Sequence, residues 1–416
     1  MQKVNEWVNE LISNFYSQNG NSILKMLNST EIHYKLLKQN ASKDEIATAV
    51  QQVLYQKIKN QNEQMKFWKD YLVNYFIFYQ HRLNSNHVKS FESLRESFTG
   101  ITEIYKLYNN PSFLNEIKKY YMKQLLLTSN LADQELEKQK EKTHCIDDTG
   151  RVLISYFSTF QGADDKSVVL SCIINLIRIH FKLKTYRNSK TLVEWVYKNG
   201  LNLNAFKKAD VTTFYYYSGR LALYELKIIE AQKIFTNALS ICKPSHYNNK
   251  RLIIEFLIPL NLFFGKVPTI SYLKEYDIDE NYINFINAYK TGNLTLFEES
   301  LEKLEDRFIL LGTFLIAEKL KGFVVRNLVK RIHKNYDFGE MKFPNIKIEL
   351  IYKILTNVFM YKEMNLEELE LYLIGVIYKG LIVGYIHSKD KTLVFSKTNP
   401  FPKISEAFEK KYDKFF

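Results

Sequence analysis

The chain has 416 residues, with 58 Lys and Arg against 45 Asp and Glu, a net charge of +13. Hydrophobic residues make up 46%, enough for a sizeable core, and only 14 Gly and 7 Pro interrupt them, so a mostly helical fold is expected. The cation excess favours an acidic partner or reflects a codon bias toward Lys, Asn, Tyr, Phe and Ile, so its placement has to argue function, while three well-separated cysteines, Cys145, Cys172 and Cys242, fit neither a disulfide framework nor a zinc pattern.

Residues 1–145 read as helices with polar breaks. Residues 1–11 mix charged with apolar side chains and show no signal-peptide core. One long helical pattern runs over 44–83, and another starts at Pro111 and continues to 131. The alternating charges of 135–142 read as a solvated helix end or a linker, and 143–150 as a loop that bounds the region. Shorter helices follow over 166–187, 191–198, 211–224 and 228–241. The last two resemble a tetratricopeptide hairpin, with Gly219 at the close-packing position and Ala231, Phe235 and Ala238 at matching offsets.

Residues 250–265 form an apolar run that Pro259 should kink. Its most apolar part, 252–264, is about 20 Å long as a helix, short of a bilayer, so no membrane partner is expected. Gly292-Asn293 stops one helix and caps the next, in which Leu294, Phe297, Leu301, Leu304 and Phe308 share a face. A helix over 348–356 precedes a second that Asn365 and Glu368 open as a capping box and Gly380 ends. Two short strands, 381–386 and 392–395, flank the turn Ser388-Lys389-Asp390-Lys391. Helices followed by a β-hairpin is the order of a winged helix. The expected fold is an all-α, tetratricopeptide-like helical-repeat solenoid ending in a winged helix with a small β-hairpin. Its parts are 1–145, an N-terminal helical region; 146–335, the helical repeats; 336–405, the winged helix; and 406–416, a tail.

A set of local motifs carries a closer likeness. They are Asn249-Lys250-Arg251-Leu252, Leu257-Ile258-Pro259-Leu260, Gly265, Pro268-Thr269, Gly292-Asn293-Leu294, Glu318-Lys319-Leu320-Lys321 and Arg326-Asn327-Leu328. Ile377-Tyr378-Lys379-Gly380, Gly384-Tyr385-Ile386, Val394-Phe395-Ser396-Lys397 and Asn399-Pro400-Phe401-Pro402 close the set. Over about 166–405 the chain resembles the PCI-domain family. The likeness is to the subfamily of the PCI subunit of the second transcription-and-export complex and of the COP9-signalosome-linked twelfth-subunit-like protein. The resemblance implies a non-catalytic nuclear scaffold, at the nuclear pore and in part cytoplasmic, that couples transcription to mRNA export. Its implied partners are a larger PCI scaffold protein, a small acidic, mostly disordered peptide also found in the proteasome lid, and RNA or double-stranded DNA. The alternative it leaves open is a structural subunit of a signalosome-like or splicing-linked PCI complex without direct nucleic-acid binding.

Charge placement marks candidate contacts. Residues 319–334 hold Lys319, Lys321, Arg326, Lys330, Arg331 and Lys334 with no carboxylate, and Lys330 and Lys334 share a helix face. Such a row suits phosphates; the alternative is a solvated face, with Arg326 packing internally beside Asn327. A second cluster, Lys379, Lys389, Lys391, Lys397 and Lys403, surrounds the wing, where lysines can reach phosphates without reading bases. The helix after Asn365 exposes Glu367, Glu368 and Glu370, which repel DNA, so binding by charge and shape is expected. No phosphate-cradling Gly motif, His-Glu-x-x-His or Gly-x-Ser-x-Gly occurs, and no enzyme or cofactor is expected. The pairs Asp147-Asp148 and Asp164-Asp165 read as caps in polar breaks, and His180 as a satisfied core histidine.

Overall fold

The computed structural model describes residues 2–29, 42–58, 62–108, 111–162, 166–339 and 343–411. The chain divides into two compact units, Met1–Asp210 and Val211–Phe416.

The first unit contains α1 (Gln2–Tyr16), α2 (Gly20–Asn28), α3 (Lys43–Lys57), α4 (Asn62–Leu83), α5 (His87–Leu107), α6 (Asn115–Lys138), α7 (Cys145–Phe160), α8 (Lys166–Lys182) and α9 (Tyr186–Lys198). The long pattern over 44–83 is thus two helices. Gly100 sets the approach of α5 to α4: a Cβ there would lie 2.9 Å from the Tyr71 backbone. The last turn of α2 leaves carbonyls without helical partners. Three tyrosines, Tyr75, Tyr79 and Tyr120, donate their hydroxyls to one of them, Leu27 O, at 3.1–3.2 Å.

The loop expected over 143–150 is instead the start of α7. His144, the residue before the helix, makes no side-chain cap. The buried Asp133 carboxylate on α6 replaces it, accepting from the backbone N–H groups of His144, Cys145 and Ile146 at 2.9–3.0 Å. The helix expected over 166–187 breaks where Lys184 adopts φ +57°, giving α8 and α9. Beneath α6 the Lys118 side chain is fully buried. Its Nζ donates to Tyr156 Oη at 2.8 Å and sits over the rings of Tyr105, Tyr156 and Phe160.

The second unit opens on α10 (Lys208–Tyr224, whose first residues precede the division) and α11 (Ile228–Ile241), joined as the expected hairpin. A Cβ on Gly219 would lie 2.9 Å from the Phe235 ring, so the absent side chain admits that ring. Then come α12 (Tyr247–Phe263), which runs through Pro259, α13 (Ile270–Glu275) and α14 (Glu280–Thr291). Gly292, at φ +77°, ends α14, and the Asn293 side chain caps the following helix by accepting from Leu296 N. A Cβ at Gly292 would come within 2.5 Å of Leu328 Cα, so only glycine lets these segments meet.

The chain continues as α15 (Leu294–Leu311), α16 (Phe314–Lys319) and α17 (Lys321–Asn335), then β1 (Asn345–Lys347), α18 (Ile348–Asn357), α19 (Leu366–Tyr378), β2 (Gly384–His387), β3 (Thr392–Phe395) and α20 (Ile404–Lys411). The predicted capping box at the start of α19 is present, and Gly380 follows its end at φ +75°. The antiparallel sheet has the order β1-β3-β2, with Ile346 opposite Leu393 and Ile386 opposite Leu393 on the other side. Helices α17, α18 and α19 with this sheet make the winged helix. The hairpin was expected and β1 was not. The strand expected from 381 starts at Gly384, because Leu381 and Ile382 turn into the core first. Within the tail assigned to 406–416, a helix reaches Lys411; residues 412–416 lie outside the described residues.

Candidate nucleic-acid interface

Helix α17 buries Phe323, Val324, Val325, Leu328 and Val329 and exposes Lys330, Arg331 and Lys334. Burial, followed by the charges of Arg326 and Lys334, pulls the Lys330 ammonium below the ordinary lysine range. Arg331 remains exposed while donating through Nη1 to Thr291 O at 2.7 Å. Arg326 belongs to the other face and is withdrawn from the candidate contacts. It is 4% exposed; Nε donates to Leu381 O at 3.0 Å, Nη2 to Pro402 O at 2.8 Å and Nη1 to Asn327 Oδ1 at 3.0 Å. A guanidinium buried this deeply, with three of its five N–H groups bonded to the chain, is out of reach of a phosphate. Lys321 is also engaged, with the Glu298 carboxylate and Tyr361 Oη.

The wing lysines divide. Lys389 is exposed at the hairpin tip. Lys391, at φ +47°, pairs with the Glu370 carboxylate, which ties the wing to α19 and offsets its charge. Lys397 is exposed and lies over the Phe343 ring, 4.7 Å from its centre. Lys379 is half-buried, and burial followed by the charge of Lys319 lowers its pKa.

The two clusters of the sequence therefore become three patches. His333 packs edge-on against Phe395 at 4.7 Å and against Phe401 at 5.2 Å, which brings the end of α17 to the end of β3. Lys330, Arg331 and Lys334 flank His333 along α17, and Lys397 follows Phe395 by two residues. The wing tip, with Lys389, lies a strand's length away, about 13 Å for four residues. Lys379 and Lys319 form the third patch, beside a groove between α16–α17 and α19. The outer face of α19 is acidic at Glu367 and Glu368 but otherwise apolar: Leu371, Ile374 and Tyr378 are 66%, 47% and 58% exposed. Sequence reasoning passed over these three. Their signal was a helix apolar on every side in a segment too short and too close to the surface to be wholly buried.

The remaining sites settle into structural roles. Asp147 and Asp148 stand in the first turn of α7, where Asp147 pairs with Arg151 at 2.6 Å and Asp148 with Arg95 at 3.7 Å. Asp164-Asp165 lie outside the described residues. His180 is buried, but its Nδ1 has no hydrogen-bond partner among the described residues, so there it is not the satisfied core histidine expected; burial lowers its pKa and favours the neutral ring. Among the described residues no group of His, Cys, Asp and Glu could hold a metal ion, and no helix is long and apolar enough to cross a membrane.

A helical-hairpin stack that runs into a winged helix defines a helical-repeat scaffold. No family model matches the chain. It is 31% identical over 290 residues to PCI domain-containing protein 2 of Xenopus laevis, covering 68% of this chain and 71% of that one. Enhanced ethylene response protein 5 of Arabidopsis thaliana is 30% identical over 277 residues, 66% of each chain. A PCI domain-containing protein 2 homolog of Dictyostelium discoideum is 27% identical over 333 residues, 77% of this chain and 76% of the relative. The chain belongs to the PCI-domain family.

Proposed function

We propose that this protein is a non-catalytic PCI scaffold of a nuclear complex that couples transcription to mRNA export. In this reading it pairs with a larger PCI protein and a small acidic peptide, and it binds RNA or duplex DNA without sequence preference. The observation that supports the nucleic-acid part is the exposed run Lys330, Arg331 and Lys334 around His333, whose ring packs on Phe395, two residues before the exposed Lys397. Cations on one surface release counterions from a phosphate backbone, and none of them is placed to read a base edge. The wing-tip Lys389 adds a second contact. Affinity purification of the tagged chain from its own cells tests the assembly: recovery of a larger PCI-domain protein together with export factors supports it. Recovery of signalosome or splicing factors instead supports the second reading, a structural subunit without nucleic-acid binding. The apolar outer face of α19, unlike that of a DNA-reading helix, favours protein contact and keeps that reading in play.

A further inference from the structure

Helix α19 is apolar on two sides. Leu369, Leu373 and Val376 are buried against the core. Leu371, Ile374 and Tyr378 point outward at spacings of three and four, forming a stripe about 10 Å long. Beyond the helix, Val383 and Tyr385 are 43% and 58% exposed. Beside the stripe lies a groove of about 440 Å³, walled by Gly322, Phe323, Leu371, Tyr372, Gly375 and Val376. A Cβ on Gly375 would meet nothing within 4 Å, so a partner's atoms can approach the α19 backbone there.

The two ends of this surface carry opposite charge. Glu367 and Glu368 are exposed at the start of α19, while Lys379 and Lys319 flank its end, with Glu318 also on the groove wall. Helices characteristically carry acids in the first turn and bases in the last, which suits their dipole. Such a helix laid antiparallel to α19 sets its acidic start over Lys379 and Lys319 and its basic end over Glu367 and Glu368. Nucleic acid fits poorly, since the stripe is apolar and the acids Glu367 and Glu368 repel phosphates.

We propose that this surface docks an amphipathic helix of a partner protein, antiparallel to α19, with its apolar face on Leu371, Ile374 and Tyr378 and its acidic end toward Lys379. This is the helix-in-groove mode of recognition, in which a few apolar anchors carry most of the affinity. It is independent of nucleic-acid binding, which uses α17 and the wing.

The test uses the full chain and two fluorescent helical peptides of about 18 residues. Both share an apolar stripe at three- and four-residue spacing. One has glutamates in its first turn and lysines in its last; the other has lysines in both. Anisotropy titrations are expected to show binding of the first peptide and at least about tenfold weaker binding of the second. The double variant Leu371→Glu/Ile374→Glu, melting at the wild-type temperature because both positions are exposed, is expected to lose at least about tenfold in affinity. Equal binding of the two peptides, absence of binding, or unchanged affinity in the double variant overturns the proposal. So does a concentration-dependent dimer of the chain that the double variant abolishes, which assigns the surface to self-association.

Discussion

The Arg326 guanidinium donates to the Leu381 carbonyl at 3.0 Å, locking α17 to the segment between α19 and β2. With the Pro402 carbonyl it also fastens the chain that follows β3. Loss of this side chain leaves two interior carbonyls without donors. Arg326→Leu is therefore expected to destabilise the protein by about 3 kcal/mol. Urea denaturation measures this, and the folded variant is expected to bind nucleic acid like the wild type.

Asp133 acts on α7 as a cap supplied from another helix. Its two oxygens take three backbone donors, of which those of Cys145 and Ile146 would otherwise be buried and unpaired. Asp133→Ala is expected to cost about 2–3 kcal/mol, more than a typical exposed cap, because the site is buried. Hydrogen exchange localises the effect: amides of Cys145 and Ile146 lose protection before those at the centre of α7.

Lys118 gives stability a pH dependence. Burial, only partly offset by the nearby Cys172 thiol and reinforced by Lys106, lowers its pKa to about 6. The unfolded chain keeps a lysine pKa of about 10.4. Between those values the unfolded state holds a proton that the folded state lacks. Stability from this group therefore falls as pH drops, by about 1.4 kcal/mol per unit, and levels off below about pH 6. Lys118→Met removes that slope. Its stability advantage over the wild type is expected to shrink by about 3 kcal/mol between about pH 6.5 and about pH 8.5 in urea titrations. Parallel pH profiles for the two proteins contradict this role.

Features written in neighbouring residues were legible beforehand. The Asn365–Glu368 capping box, the Gly292-Asn293 stop and cap, and the Gly219–Phe235 hairpin contact all rest on residues within one motif or hairpin. Long-range features were not. The start of α7 is set by Asp133, twelve residues before Cys145. Strand β1 is three residues long and exists through its pairing with β3. Arg326 packs internally beside Asn327, the alternative to a place in the cationic row, but its carbonyl acceptors lie 55 and 76 residues further on. Lys391 likewise meets its carboxylate only when the wing folds back on α19. Charge density was visible in the sequence, whereas which charges remain available depended on partners that the fold alone brings near.

The central claim, that a cationic surface on the winged helix holds nucleic acid through its phosphates, is tested by one titration. Fluorescence anisotropy with a labelled RNA and a labelled duplex is run across a salt series, for the wild type and for Lys330→Glu/Lys334→Glu/Lys389→Glu/Lys397→Glu. All four positions are exposed, so the variant is expected to melt like the wild type. The account predicts wild-type affinity that falls log-linearly with salt and, in the variant, at least about tenfold weaker binding with a shallower salt slope. Wild-type affinity and slope in the folded variant would contradict it.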